Sequence, residues 1–229
     1  MAVAHQTVNA VLFDLDTVAV EGRAVVFEVL QQVLKSEGLA LTAAHFSRYA
    51  AWADPACYLS ELLAELGAPK HGPEAVARAV QEKLAARMAE ERKLGAGLSK
   101  LIDVAQERGM AVAGISRLPQ DEAKALAERT GLTARGVQVL GFASAEKTFP
   151  GADAWLKTAK LLGKSPRGCM AVASGVIACK AALFAGMRCL AVPDAFTAHH
   201  DFSGVDCVLD DWKDMPPGEI LSLILPAGD

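Results

Sequence analysis

Asp14 and Asp16 stand one residue apart at the end of the apolar run VNAVLF, residues 8–13. Two carboxylates so spaced could divide nucleophilic and acid–base work, if their surroundings hold them in different protonation states. A solvated strand end or a helix cap would use the same two residues, so the pair alone decides nothing. Ser116 closes a second apolar run and Lys147 lies in a loop, EKTFPGADAWL, three residues before Pro150. A serine after a strand is more often a cap for the next helix, and a loop lysine is common. Both gain weight only as members of a set.

The elements that must position them are legible in outline. Short Val-rich apolar runs at 8–13, 110–115, 136–140, 169–173 and 188–192 read as buried strands of a parallel sheet, and 205–210 as a sixth. Helical patterns separate most of them. LPQDEAKALAERTG carries Pro119 in its first turn and stops at Gly131, while the next two helices stop at Gly163 and Gly186. Strand and helix alternating in this way predict an α/β doubly wound parallel sheet. Residues ~22–94 break the alternation, with no convincing strand. There Val76, Val80, Leu84 and Met88 recur every four residues, behind Pro73 and ahead of Gly95, which predicts one apolar helix face. The division expected is a core of 1–20 and 95–229 with a helical cap of 21–94 inserted after the first strand.

Composition narrows the class. The 229-residue chain is 52% hydrophobic and carries a formal charge of -4, so it buries a sizeable core and lacks the basic stripe of a nucleic-acid binder. No apolar stretch approaches the ~20 residues of a membrane helix, and the start has no basic n-region. The five cysteines include no C-x-x-C pair, which fits free thiols in a reducing, cytoplasmic setting. No nucleic-acid or membrane partner is expected.

FDLDTVAVEG, residues 13–22, aligns without a gap to F-D-x-D-G-T-L-x-D-S. It resembles the first motif of the haloacid dehalogenase superfamily, in the helical-cap branch of phosphoglycolate phosphatases and beta-phosphoglucomutases. The resemblance implies a Rossmann-like core with a helical cap, and a phosphatase acting on a small phosphorylated metabolite through an aspartyl-phosphate intermediate. Asp14 takes the nucleophile position and Asp16 that of the general acid/base. Ser116 matches the hydroxyl that holds a phosphoryl oxygen, with Arg117 beside it. Lys147, followed by Pro150, matches the lysine that offsets charge in the transition state. Enzymes that dehalogenate usually lack the second aspartate, so Asp16 argues against that chemistry. Arg48, Trp52 and Lys70 are the cap residues considered for substrate contact. Thr197, Asp201 and Phe202 resemble a structural tail, and the adjacent His199 and His200 seldom face one ion.

The first motif departs from the pattern at Thr17, Val18, Glu21 and Gly22 among others. The fourth motif departs further. Anchored on AGM at 185–187, Ala173 stands at the usual Glu position and Ser174 at the usual Asp position. The family implies magnesium held by Asp14, the Asp16 backbone carbonyl and an acid at 174; here Ser174 is a weak replacement. Asp194, after the next strand, is the nearest acid that could reach in. Two readings follow: a phosphatase weakened by loss of the fourth-motif acids, or an inactive homologue that binds a phosphorylated ligand or a protein partner.

Overall fold

The computed structural model describes residues 8–52, 54–90, 93–210, 212, 214–216, 218–219 and 222. Six parallel strands run in the order β3-β2-β1-β4-β5-β6, with β1 at Ala10–Asp14, β2 at Ala111–Ser116 and β3 at Gln138–Gly141. The other half of the sheet is β4 at Cys169–Ala173, β5 at Arg188–Ala191 and β6 at Cys207–Val208. These fall within two or three residues of the apolar runs, because a strand buried on both faces must be apolar throughout.

Alternate residues of β1 serve opposite faces of the sheet, as the two-residue strand period requires. Val11 and Phe13 join Leu98, Leu101 and Ile102 of α5 (Ala96–Glu107) and Leu126 of α6 (Gln120–Arg129). Ala10 and Leu12 join Trp155 of α7 (Ala152–Leu161) and Ala178 and Cys179 of α8 (Val176–Phe184). Gly131, Gly163 and Gly186 follow α6, α7 and α8 with positive φ, where a side chain would be strained. Gly95 caps the start of α5 instead of closing the helix before it.

Between β1 and β2 the described residues contain α1 (Gly22–Ser36), α2 (Ala43–Ser47), α3 (Leu59–Leu66) and α4 (Pro73–Glu90) before α5 begins. They bury a cluster of their own, including Leu30, Leu34, Phe46, Tyr58, Leu62, Val76 and Val80. Among the described residues no helix is long and apolar enough to cross a membrane. All five cysteines are free thiols.

The strand order places Asp14, Ser116, Ser174 and Asp194 at the carboxyl ends of neighbouring strands, or just beyond them. That edge is where open α/β sheets gather ligands.

Trp155 joins α7 to both the sheet and α8: it is fully buried, and its indole N–H donates to the Ala178 carbonyl at 3.2 Å. Trp155→Ala is expected to cost about 3–5 kcal/mol. The check is a lower urea midpoint with an unchanged slope.

Candidate active site

Asp14 ends β1 fully inside the protein, 2% exposed. The chain then turns through one π-helical turn, Leu15–Ala19, and the Asp14 carboxylate caps that turn. Its Oδ1 accepts the backbone N–H of Asp16 at 3.0 Å and of Thr17 at 3.2 Å. Its Oδ2 accepts the Thr17 hydroxyl at 2.7 Å. Burial raises the Asp14 pKa; the Thr17 hydroxyl and the positive charge of Arg23 pull it back only in part.

Asp16 faces the other way along the sheet edge. Its Oδ1 accepts the Ser116 hydroxyl at 2.6 Å, and its Oδ2 accepts the backbone N–H of Arg117 at 2.8 Å. Burial, and then the neighbouring Asp14 charge, push its pKa up to about 7. The first and second motifs are therefore joined directly, with the Ser116 hydroxyl donating to Asp16.

Arg23, in the first turn of α1, is the residue that sequence reasoning missed. Its side chain is 6% exposed. Nε donates to the Ala50 carbonyl at 2.6 Å, and Nη1 donates to Ser174 Oγ at 2.6 Å and to Asp194 Oδ2 at 2.9 Å. Ser174 in turn donates to Thr17 Oγ1 at 2.8 Å, and Thr17 donates to Asp14. A directed chain of hydrogen bonds thus runs from guanidinium to buried carboxylate through two hydroxyls. Such chains polarise and strengthen one another. Thr197, read from sequence as structural, fixes the far wall: its hydroxyl donates to the Ser174 carbonyl at 2.7 Å. An isolated Arg at the head of an apolar helix was the only sequence signal, and nothing in the pattern said that it would turn inward.

Lys147 makes its contacts with the helical insertion. Its ammonium lies 3.9 Å from the Trp52 ring centroid and 3.7 Å from Glu61 Oε1. Arg117 reaches the same region: Nη2 lies 3.6 Å from Asp54 Oδ2 and donates at 3.2 Å to the carbonyls of Ser144 and Glu146. Trp52 also packs on Tyr49 and Tyr58. Arg48 is not brought to the site; it pairs with Glu65 and is 63% exposed. Phe196, from the loop after β5, seats against Phe27 and Phe46 of the insertion. Two buried polar atoms beside Asp54 have no hydrogen-bond partner among the described residues: the Tyr58 hydroxyl and Arg117 Nη1.

The residues in place do not fit a magnesium ion. Both Asp14 oxygens are engaged, and the hydroxyl at 174 carries the Arg23 guanidinium. Gly22 passes close to the Asp16 carbonyl, where a Cβ would come within 2.1 Å of the oxygen. Asp194 does reach the site, but its carboxylate is bound to Arg23. Among the described residues no cluster of three or more His, Cys, Asp or Glu could hold a metal.

No protein-family model matches the chain. Its fold is that of the haloacid dehalogenase-like proteins, as the resemblance implied: the conserved haloacid dehalogenase-like protein ATU0790 of Agrobacterium tumefaciens superimposes with a TM-score of 0.74 at 18% identity, over 93% of this chain and 98% of that one. YhcW of Bacillus subtilis (strain 168), named as a candidate phosphatase, is 26% identical over 211 residues, 91% of this chain and 94% of YhcW. Protein CbbY of Cereibacter sphaeroides is 34% identical over 144 residues, 60% of this chain and 62% of CbbY. The crystal structure of CbbY from Rhodobacter sphaeroides with xylulose-1,5-bisphosphate gives a TM-score of 0.70 at 22% identity, covering 91% of this chain and 96% of that one.

The raised pKa of Asp16 has a consequence for stability. The folded protein holds this proton more tightly than the unfolded chain, whose value is near 3.8, so stability falls as pH rises toward about 7. Asp16→Asn removes the charged form. It is expected to stabilise the fold at about pH 8 by ~1 kcal/mol or more, which raises the melting temperature by about 2–4 °C in a chain of this size, and to change it little near pH 4. Paired melting curves at the two pH values check this.

Proposed function

We propose that this protein is a phosphomonoester hydrolase acting on a small phosphorylated metabolite, slower than relatives that keep the fourth-motif acids. The observation that carries the reading is the division of labour between the two aspartates. Asp14 is oriented by two backbone N–H groups and the Thr17 hydroxyl, while Asp16, bound to Ser116 and the Arg117 N–H, faces away from it. An Asp14 oxygen attacks phosphorus and the bond to the leaving oxygen breaks. Asp16 delivers the proton that the leaving oxygen needs. Water then attacks the aspartyl phosphate, Asp16 takes its proton back, and inorganic phosphate leaves. The Ser116 hydroxyl exchanges Asp16 for a phosphoryl oxygen when substrate enters.

The helical insertion acts as the cap, and Lys147 and Arg117 tie it down through Trp52, Glu61 and Asp54. A closed cap excludes water other than the attacking molecule. The Tyr58 hydroxyl and Arg117 Nη1, buried without partners among the described residues, are donors suited to a second anionic or hydroxyl group on the ligand. CbbY, crystallised with a sugar bisphosphate, supports a substrate of that class.

A second reading is favoured by the 2.7 Å contact of Thr17 on Asp14 Oδ2, which occupies the oxygen that would attack. On it, the cleft binds a phosphorylated compound and transfers nothing.

A generic aryl phosphate separates the two. The hydrolase predicts steady turnover that Asp14→Asn removes, by about 10³-fold or more in kcat. Turnover surviving that change would eliminate Asp14 as nucleophile. Saturable phosphate binding with no turnover by the wild type would establish the binding protein.

A further inference from the structure

Arg23 touches one position that, in the resemblance, belongs to a divalent ion, and is linked through hydroxyls to a second. It donates to the residue at the fourth-motif position, Ser174, at 2.6 Å. Through Ser174 and Thr17 it is joined to Asp14 by contacts of 2.8 and 2.7 Å. It also takes up Asp194, the acid that follows β5, at 2.9 Å. Beside the remaining ligand position, the Asp16 carbonyl, the chain passes so close that only a glycine fits at 22. Gly175 gives the guanidinium its room, since a Cβ there would stand 2.5 Å from Nη2.

We propose that Arg23 is the resident cation of this cleft: its guanidinium fills the place of the divalent ion, and the cleft takes phosphate without metal. A monovalent, planar donor fits a set of one hydroxyl, one carboxylate and one backbone carbonyl, whereas magnesium demands near-octahedral hard oxygens and more negative charge. The guanidinium is held where it is by Nε on Ala50, so its position does not depend on ligand. The Nη1 bonds to Ser174 and Asp194 make Arg23 a brace between the core and the insertion. An acid placed at 174 would meet this guanidinium at hydrogen-bond distance, so Ser174→Asp alone yields an ion pair and no metal site.

The phosphate half of the proposal rests on the function proposed above; the exclusion of metal does not. Two measurements on the full chain test them apart. Electron paramagnetic resonance titration with Mn2+ is expected to show no bound ion at millimolar metal, and one ion bound stoichiometrically by the wild type would overturn the proposal. Inorganic phosphate is expected to raise the melting temperature equally in EDTA and in magnesium. Arg23→Gln is expected to weaken that binding by about tenfold or more. A phosphate shift that requires magnesium, or that Arg23→Gln leaves intact, would also overturn it. No phosphate shift in either buffer, with Mn2+ still unbound, would remove the phosphate cleft and keep Arg23 as the occupant. The wild-type measurements decide even if the variant does not fold.

Discussion

The structure depends on how one buried negative charge is tolerated. Asp14 has almost no exposure, and a carboxylate taken out of water is costly unless it is paired and hydrogen-bonded. Here the compensation is spread over two backbone N–H groups, one hydroxyl and a guanidinium two hydroxyls away. The helical turn 15–19 exists in part because Asp14 caps it, so the charge and the fold of the segment stabilise each other. Arg23 is constrained in the same way from its side: a buried guanidinium needs acceptors, and Ala50, Ser174 and Asp194 supply them. Removing any member leaves a buried donor or acceptor unsatisfied, which costs more than the bond itself contributed.

The second organising feature is the join between the α/β core and the helical insertion. It is made of dissimilar contacts: a cation over an indole at Lys147 and Trp52, a longer ion pair at Arg117 and Asp54, an aromatic trio at Phe27, Phe46 and Phe196, and the bonds from Arg23 to Ser174 and Asp194. The exposed ion pairs contribute little alone, whereas the aromatic and guanidinium contacts are desolvated and geometrically demanding. Closure therefore hinges on a few positions that also border the two aspartates.

The sheet was legible because its four inner strands are buried on both faces and three of its helices stop at glycines whose φ is positive, two features written locally in the chain. The pairing of Asp16 with Ser116 was half legible: both lie at strand ends, yet only the strand order makes them neighbours. Thr17 and Ser174 stood out in the sequence as separate departures from a motif. Their common cause was invisible there, because it lies in the rotamer of Arg23, a residue whose neighbours in sequence say nothing about the direction in which it points. Lys147 illustrates the converse. Its loop position was readable, but its partner, an indole on the insertion about ninety-five residues away, was not.

Gly175 carries an implication for how such a cleft changes over generations. With no room for a Cβ beside Nη2, the glycine and the arginine constrain one another, as do Gly22 and the Asp16 carbonyl. Strongly coupled neighbours do not contribute additively. A residue with a Cβ at 175 would crowd the Arg23 guanidinium, and loss of Arg23 would leave Ser174 and Asp194 without their donor, so the two positions change more easily together than one codon at a time.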